Sequence, residues 1–436
     1  MGWFTNNEFS EAPPYSWRNG GGQTLLNRTK GDKVIWAIVV LLTLISILVV
    51  YSSIGSLAYK MNKSTESYLF KQIAFIVLGV LIIYFAHRVN YTLYSRLSTI
   101  LFLISIPLLI YTLQFGSSIN EANRWIKLPV INMTFQTSDL AKLALFMYMS
   151  KQLSRKQNVI KDFKKGFLPL IIPVGIICVL ISPANLSTAL LIGGTSLLLM
   201  FIGRVSTKHI MMIVGIAMLP VLLLIFTAKQ YYNEEEHKTK ELPSLLASGR
   251  VPTWIKRVQD FMFADRTETS YQVQQSKIAI ATGGWVGKGP GKSEQRNFLP
   301  HPYSDFIYAI IIEEYGLIGG ACMVFIYLLF LFRSIRLFRK CPYAFGAFLA
   351  LALSFTLVIQ AMVNMAVTVN IFPTTGVTLP LVSMGGSSLW FTCFAIGIIL
   401  SVARNVEQME GENLPQPAMQ PVADEPNINT DEPVID

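Results

Sequence analysis

Apolar residues in this chain gather in runs of about 20, the length a helix needs to cross the ~30 Å hydrocarbon core of a bilayer. Ten such runs lie near residues 34–51, 69–86, 93–113, 140–149, 167–181, 186–202, 210–227, 306–332, 343–365 and 388–403. The fourth is short unless it begins near Gln136, and the fifth and sixth meet in a tight Ser182-Pro183-Ala184-Asn185 turn. The pattern predicts an all-α polytopic membrane protein of about ten transmembrane helices. Between the seventh and eighth runs, residues 228–305 are too polar to enter a membrane and predict one large extracytoplasmic loop.

Basic residues in the short connections set the orientation. Arg28, Lys30, Lys33, Arg88, Arg96, the Lys151–Lys165 group, Arg204, Lys208, Arg333, Arg336, Arg339 and Lys340 all fall on one side of a ten-span arrangement. By the positive-inside rule that side is cytoplasmic, with both termini inside and the long loop outside. Residues 1–30, with Pro13-Pro14 and Gly20-Gly21-Gly22, carry no apolar core or cleavage site of a signal peptide and read as a disordered cytoplasmic tail. Residues 31–404 then form the membrane domain, and residues 405–436 form a disordered acidic cytoplasmic tail.

Composition narrows the class further. With 52% hydrophobic and only 14% charged residues, a soluble globular domain is excluded. The net charge of +10 does not point to nucleic acid, because the basic residues sit where they orient helices. Four cysteines, Cys178, Cys322, Cys341 and Cys393, lie in or beside apolar runs and show no disulfide framework or metal spacing.

Polar chemistry concentrates on the outer side. Between the third and fourth runs, Arg124 and Lys127 face outward, and Asp139 and Lys142 stand three apart at a helix start, where they can pair. Ionisable groups at that depth need a partner or a wet cavity, so the pair serves either helix packing or substrate contact. Arg124 with Trp125 equally fits an interfacial anchor. The eighth run holds Glu313 and Glu314 beside small residues at Gly316, Gly319 and Gly320, a surface that another helix can approach closely. Two prolines, Gly385-Gly386 and several hydroxyls, Ser387 among them, predict a re-entrant segment over 370–390 that walls a cavity. In the long loop, Asp265, Glu268, Lys277, Lys288, Lys292, Ser293, Glu294 and Asp305 supply acid/base and anion-binding groups, among glycines that let backbone NH groups approach a phosphate.

Four segments occur in order, RWIKLPVINMTFQTSDLAKLA, SYQVQQSKIAIATGGWVGKGPGKS, FLPHPYSDFIYAIIIEEYGLIGG and TGVTLPLVSMGGSSL. Together they resemble the SEDS family of shape, elongation, division and sporulation proteins, typified by FtsW and RodA. The resemblance runs from about Lys30 to Arg404. It implies a bacterial inner-membrane peptidoglycan glycosyltransferase that polymerises lipid II, the undecaprenyl-pyrophosphate-linked disaccharide peptide. It also implies a class B penicillin-binding protein transpeptidase and other divisome membrane proteins as partners. Long tails and the TGVTLP form resemble FtsW more than RodA, which implies septal wall synthesis, with the elongation polymerase as the alternative.

The family's essential aspartate lies six residues before the tyrosine of its GYQ segment, and counting back from Tyr271 reaches Asp265. The local frame departs from the family's DPxGxGYQ, reading DRTETSYQ here. Asn185 stands where the family's PDLGTA has its acid, and LPHPYSDF replaces LPExHTDF. The resemblance makes Asp265 the base for the acceptor hydroxyl, and Arg124, Asp139, Lys142, Lys277, Ser293 and Ser387 candidate substrate contacts. Its cofactor stays open, with a divalent cation such as Mg²⁺ as a helper that a diphosphate would attract. The rival class is a lipid II flippase, although the chain shows no internal repeat of the kind common in transporters. A pure scaffold would leave the outer loop without a task.

Overall fold

A computed structural model of the chain describes residues 31–60, 65–119, 122–128, 133–233, 238–239, 243, 250–263, 271–299 and 302–412. Ten long helices coincide with the ten apolar runs. They are α1 (Lys33–Lys60), α2 (Thr65–Arg88), α3 (Tyr91–Phe115), α4 (Thr137–Arg155), α5 (Leu168–Ile181), α6 (Leu186–Ile202) and α7 (Thr207–Gln230), then α10 (Ile307–Lys340), α11 (Ala344–Thr368) and α12 (Ser387–Glu412). The intervening α8 (Val251–Met262) and α9 (Tyr271–Gly283) belong to the long connection. Eight helices of the described chain are long and apolar enough to cross a membrane, while α6 is shorter and α4 is too polar to qualify on composition. The chain is thus a multi-pass helical membrane protein.

The structure adds to the sequence reading in three places. Between α3 and α4 the chain forms a small antiparallel sheet of β1 (Ser117–Ile119), β2 (Ala122–Leu128) and β3 (Met133–Gln136), in which Trp125 pairs with both Ser117 and Gln136. Alternation in RWIKL and MTFQ favours strands, and that signal is short enough to be lost between two long apolar runs. A two-residue pairing, β4 (Tyr232–Asn233) with β5 (Lys238–Thr239), follows α7. At the other end, α12 continues past Arg404 to Glu412, where Glu407 accepts from Gly31 N near the start of the described chain and Glu410 pairs with Lys340 at the end of α10.

Helix α11 forms the centre of the bundle. It is buried along nearly its whole length, from Gly346 to Thr368, and packs against α4, α6, α10 and α12. An all-round apolar helix of this kind suits a protein core or a bilayer, and here the surrounding helices cover it. The two ends of the described chain meet at one face of the bundle: Gly31 N donates to Glu407 Oε2 (2.6 Å), Arg333 pairs with Asp32 (2.6 Å), and Lys340 pairs with Glu410 (2.8 Å). Arg404 donates to the carbonyl of Arg88 at the same end (3.0 Å).

Helix α10 is broken at Gly316, whose φ of 70° and ψ of −174° lie outside helical space. The break is repaired by the 284–289 turn that follows α9. Leu317 N donates to Gly284 O and Ile318 N to Trp285 O, while the carbonyls of Glu313 and Glu314 accept from Lys288 N and Gly289 N. These four backbone groups at the break therefore have partners, as buried backbone requires. Such close approach needs glycine on both sides. A Cβ on Gly316 would lie 2.2 Å from Trp285 O, and one on Gly287 2.2 Å from Glu314 O. The sequence predicts that another helix approaches the small residues at Gly316, Gly319 and Gly320 beside Glu313. Instead Glu313, Gly316 and Gly320 are buried, and it is this chain's own turn that packs on Gly316.

Candidate active site

The segment after α11 is irregular and buried, with Leu379, Leu381, Val382 and Ser383 each at most 3% exposed. Irregular backbone survives at such depth only when its polar groups are answered from the surrounding helices. Asn364 Nδ2 donates to Val377 O (2.7 Å), Gln360 Nε2 to Thr378 O (3.0 Å), Tyr327 OH to Pro380 O (2.5 Å) and Ser46 Oγ to Val382 O (2.8 Å). Ser383 Oγ donates to Ser304 O (2.7 Å) and accepts from Leu379 N (2.8 Å). Between those anchors Leu381 is held at a φ of 63°, a left-handed conformation that a branched side chain rarely adopts. The segment read from sequence as a cavity wall is thus irregular, buried and held by bonds from the surrounding helices.

This wall closes one side of a cavity of about 310 Å³. The cavity is bounded also by β2, α4, α6, α8, α11 and the segment just before α10 at Ser304 and Asp305. Four cationic side chains line it, Arg124, Lys142, Arg250 and Arg257, against two carboxylates, Asp139 and Asp305. The rest of the polar lining is uncharged, with Gln136, Asn185, Thr188, Thr378, Gln360 and Ser388 among it. Charge is unevenly divided. At the floor, Asp139 and Lys142 pair at 3.3 Å, and Lys142 Nζ also donates to Gln360 Oε1 (3.0 Å). Asp139 is 4% exposed and its Oδ2 has no hydrogen-bond partner among the described residues.

The mouth is positive. Arg124 Nε donates to Ala184 O (2.9 Å) and Arg250 NH1 donates to the same oxygen (2.6 Å), while Arg257 NH1 donates to Thr374 O (3.0 Å). These bonds use only part of each guanidinium fork. Burial, reinforced by the positive charges of Arg250 and Arg257, pulls the Arg124 pKa down to about 10, and Asp305 opposes the shift. Arg257 is lowered too, first by burial and then by Arg250, against Asp305 and Asp260. A partly buried cluster of like charges makes a place where an anion gains more than it does in water. The Ala184 carbonyl that collects two of them belongs to the turn between α5 and α6, where Asn185 Oδ1 caps α6 by accepting from Thr188 N (3.3 Å).

Arg124, Asp139 and Lys142, three of the candidate substrate contacts, all line the cavity. Ser387 lies at its edge, its Oγ accepting from Gln136 N (3.2 Å), and the neighbouring Ser388 lines it. Lys277 is exposed on α9 and does not line the cavity. Ser293 lies elsewhere too: it is 3% exposed and donates to Glu313 Oε2 (2.5 Å), which places it in the clasp around the α10 break. In the same clasp Glu313 Oε1 accepts from Lys288 Nζ (3.2 Å) and Glu294 N (3.1 Å), and Ser52 Oγ donates to Glu314. Asp265 and Glu268 lie outside the described residues. The 264–270 segment that holds them leaves α8, which carries Arg257, and Phe263 at the end of that helix stacks on Tyr232 with centroids 3.9 Å apart.

Arg250 and Arg257 were missed by the sequence reading. Their signal is the i, i+7 spacing in RVPTWIKR, which puts both on one face of an amphipathic helix. Among the described residues no three of His, Cys, Asp and Glu come together to hold a metal. Asp139 and Asp305, which both line the cavity, are the residues whose carboxylates would hold a divalent cation, and such an ion would supply positive charge toward a phosphate.

Residues 32–408 match the cell cycle protein model of the FtsW, RodA and SpoVE proteins. A probable peptidoglycan glycosyltransferase FtsW of Geobacter sp. (strain M18) is 31% identical over 87% of this chain and 98% of its own length. Stage V sporulation protein E of Bacillus subtilis is 30% identical over 86% of this chain and 98% of its own. Among solved structures, a chain of a peptidoglycan synthase complex that coordinates polymerization and crosslinking superposes with a TM-score of 0.66 at 22% identity, over 87% of this chain and 99% of that one. RodA of Thermus thermophilus superposes with a TM-score of 0.58 at 21% identity, covering 86% of this chain and 97% of RodA. The similarity spans the bundle, the re-entrant wall and the cavity alike, and the chain belongs to the FtsW/RodA/SpoVE family.

Proposed function

We propose that this protein is a peptidoglycan glycosyltransferase that polymerises lipid II into glycan strands at the outer face of the bacterial cytoplasmic membrane, for septal synthesis in division. The observation that carries the reading is the cavity: four cations against two carboxylates, beneath a rigid re-entrant wall and beside the helix that leads into the 264–270 segment. Lipid II brings a diphosphate and a sugar to the same place, and a site that stabilises departing negative charge lowers the barrier to glycosyl transfer.

In this reading Asp265 accepts the proton of the acceptor's 4-hydroxyl as that oxygen bonds the donor's anomeric carbon. The bond from that carbon to the diphosphate breaks, and the leaving diphosphate takes its charge to the Arg124, Arg250 and Arg257 cluster. Lys142, already held by Asp139 and Gln360, fixes the floor instead of meeting the leaving group. Both termini are cytoplasmic, a reading supported by the meeting of Gly31 with Glu407 among Arg333, Arg336 and Lys340. A class B transpeptidase is the partner that cross-links the product. Purified protein with that partner should make glycan strands from lipid II; movement of lipid II between leaflets in proteoliposomes without any polymer would favour a flippase.

A further inference from the structure

The connection between α4 and α5 is short, basic and tightly folded. A 3₁₀ turn at Gln157–Val159 and a π-helical turn at Phe163–Phe167 take up most of it. Asp162 holds the second turn: its carbonyl accepts from Gly166 N (3.1 Å) and Phe167 N (3.0 Å), and its Oδ1 accepts from Lys165 N (2.7 Å). Glycine lets the two turns meet, since a Cβ on Gly166 would lie 2.3 Å from Val159 O. The result is a fixed knuckle on which Lys161, Lys164 and Lys165 are exposed, with Val159 and Phe163 each 40% exposed among them.

This knuckle meets the foot of α7. The rings of Phe163 and Phe167 pack on His209, with centroids 5.1 Å and 5.2 Å away. Exposed Arg204 and Lys208 stand on the same connection as His209, so two cytoplasmic segments join into one basic surface. Asp162 is the only acid between Lys151 and Ile210, and its carboxylate already accepts from Lys165 N. Among the described residues, none of Lys161, Lys164, Lys165, Arg204 and Lys208 forms an ion pair, whereas Arg333 and Lys340 at the end of α10 are matched by Asp32 and Glu410. Orienting the helices requires the charge, but neither a rigid frame nor an exposed aromatic within it.

Depth selects the occupant. Residues 203–206 alone join α6 to α7, too short a link to leave the membrane surface. Helix α7 has only 6% of its most apolar stretch buried, so most of its length is open to lipid. The cations at its foot therefore stand at headgroup level, where a basic cluster beside a span gathers acidic lipid. We infer that the 157–167 knuckle and the foot of α7 form a docking site for the headgroup of an anionic phospholipid, with its phosphate against the lysines and its acyl chains along α7.

The test is native mass spectrometry of the full-length protein released from nanodiscs of equal phosphatidylglycerol and phosphatidylcholine. The wild type should retain phosphatidylglycerol preferentially. The triple variant Lys161→Gln, Lys164→Gln, Lys165→Gln should weaken that preference by about tenfold or more, because each basic residue near an anionic surface strengthens binding several-fold. Lys208→Gln, from the other connection, should lower it in the same direction by a smaller factor. Arg336→Gln with Arg339→Gln removes charge at the end of α10 and should leave it unchanged. No preference in the wild type would overturn the inference and leave the patch to an acidic protein segment. An equal loss in the α10 variant would also overturn it, since net charge alone would then account for retention. All the substituted side chains are exposed, so melting temperatures should match the wild type. Lipid retention is read without turnover, so the result is independent of the glycosyltransferase reading.

Discussion

Arg124 and Arg250 converge on a single acceptor, the carbonyl oxygen of Ala184, at 2.9 Å and 2.6 Å. The two residues come from a strand before α4 and from the entry to α8, so one turn carbonyl joins distant parts of the chain into a cationic mouth. Each guanidinium keeps donors beyond that bond, and their mutual repulsion is relieved when an anion arrives.

Neutralising the mouth should therefore cost catalysis more than folding. Arg250→Gln is expected to reduce lipid II polymerisation by about tenfold or more, since removing one donor from a charge-stabilising cluster commonly costs that much. Expression and partner association should stay near wild type. Unchanged polymerisation would remove the mouth from the leaving-group site.

At the floor the expected effect is on stability. Lys142→Met leaves Asp139, only 4% exposed, as an uncompensated buried carboxylate, a loss of about 3–5 kcal/mol. The double variant Asp139→Asn with Lys142→Met should recover much of this in thermal unfolding in detergent. If the double variant is no more stable than the single one, the pair is not what holds the floor together.

The break in α10 gives a prediction about backbone. Gly316→Ala combines a φ of 70° with a Cβ 2.2 Å from Trp285 O, whereas Gly284→Ala, at φ 55°, meets no atom within 4 Å. Backbone strain alone accounts for about 1–3 kcal/mol in each, and overlap adds about 1–3 kcal/mol at Gly316. Melting temperatures should rank wild type above Gly284→Ala above Gly316→Ala. Equal effects at the two positions would mean that the turn does not pack into the break.

Much of the helical fold is written in the apolar runs, because every run of about 20 residues became one long helix. The Asp139–Lys142 pair was readable from spacing alone, and so was the re-entrant wall, from its prolines and hydroxyls. What local pattern could not supply was convergence. That Ala184 O collects Arg124 and Arg250, or that Ser293 turns toward Glu313 and away from the cavity, depends on contacts between segments far apart in sequence. Helix α8 was hidden for another reason: its amphipathic period spans only 12 residues within a long polar stretch. The glycines around Gly316 were read as a surface because small residues permit close approach of any backbone, and here it was the chain's own.

Orientation is checked by single cysteines placed in a background without the native four. A cysteine at Glu294, which is 73% exposed, should react with an impermeant thiol reagent on intact spheroplasts, and one at Lys161 should be protected. Protection at 294 with labelling at 161 would invert the arrangement proposed for the membrane.

The central claim is that Asp265 removes the proton of the acceptor hydroxyl, and polymerisation of lipid II by purified Asp265→Asn, with its transpeptidase present, tests it most directly. The substitution keeps size and polarity while removing the base, so the rate should fall by about 10²- to 10⁴-fold. Glu268→Gln, run beside it, controls for the altered DRTETSYQ frame and should polymerise normally, with expression and partner binding unchanged in both. Wild-type polymerisation by Asp265→Asn, or loss of activity in Glu268→Gln alone, would contradict the account.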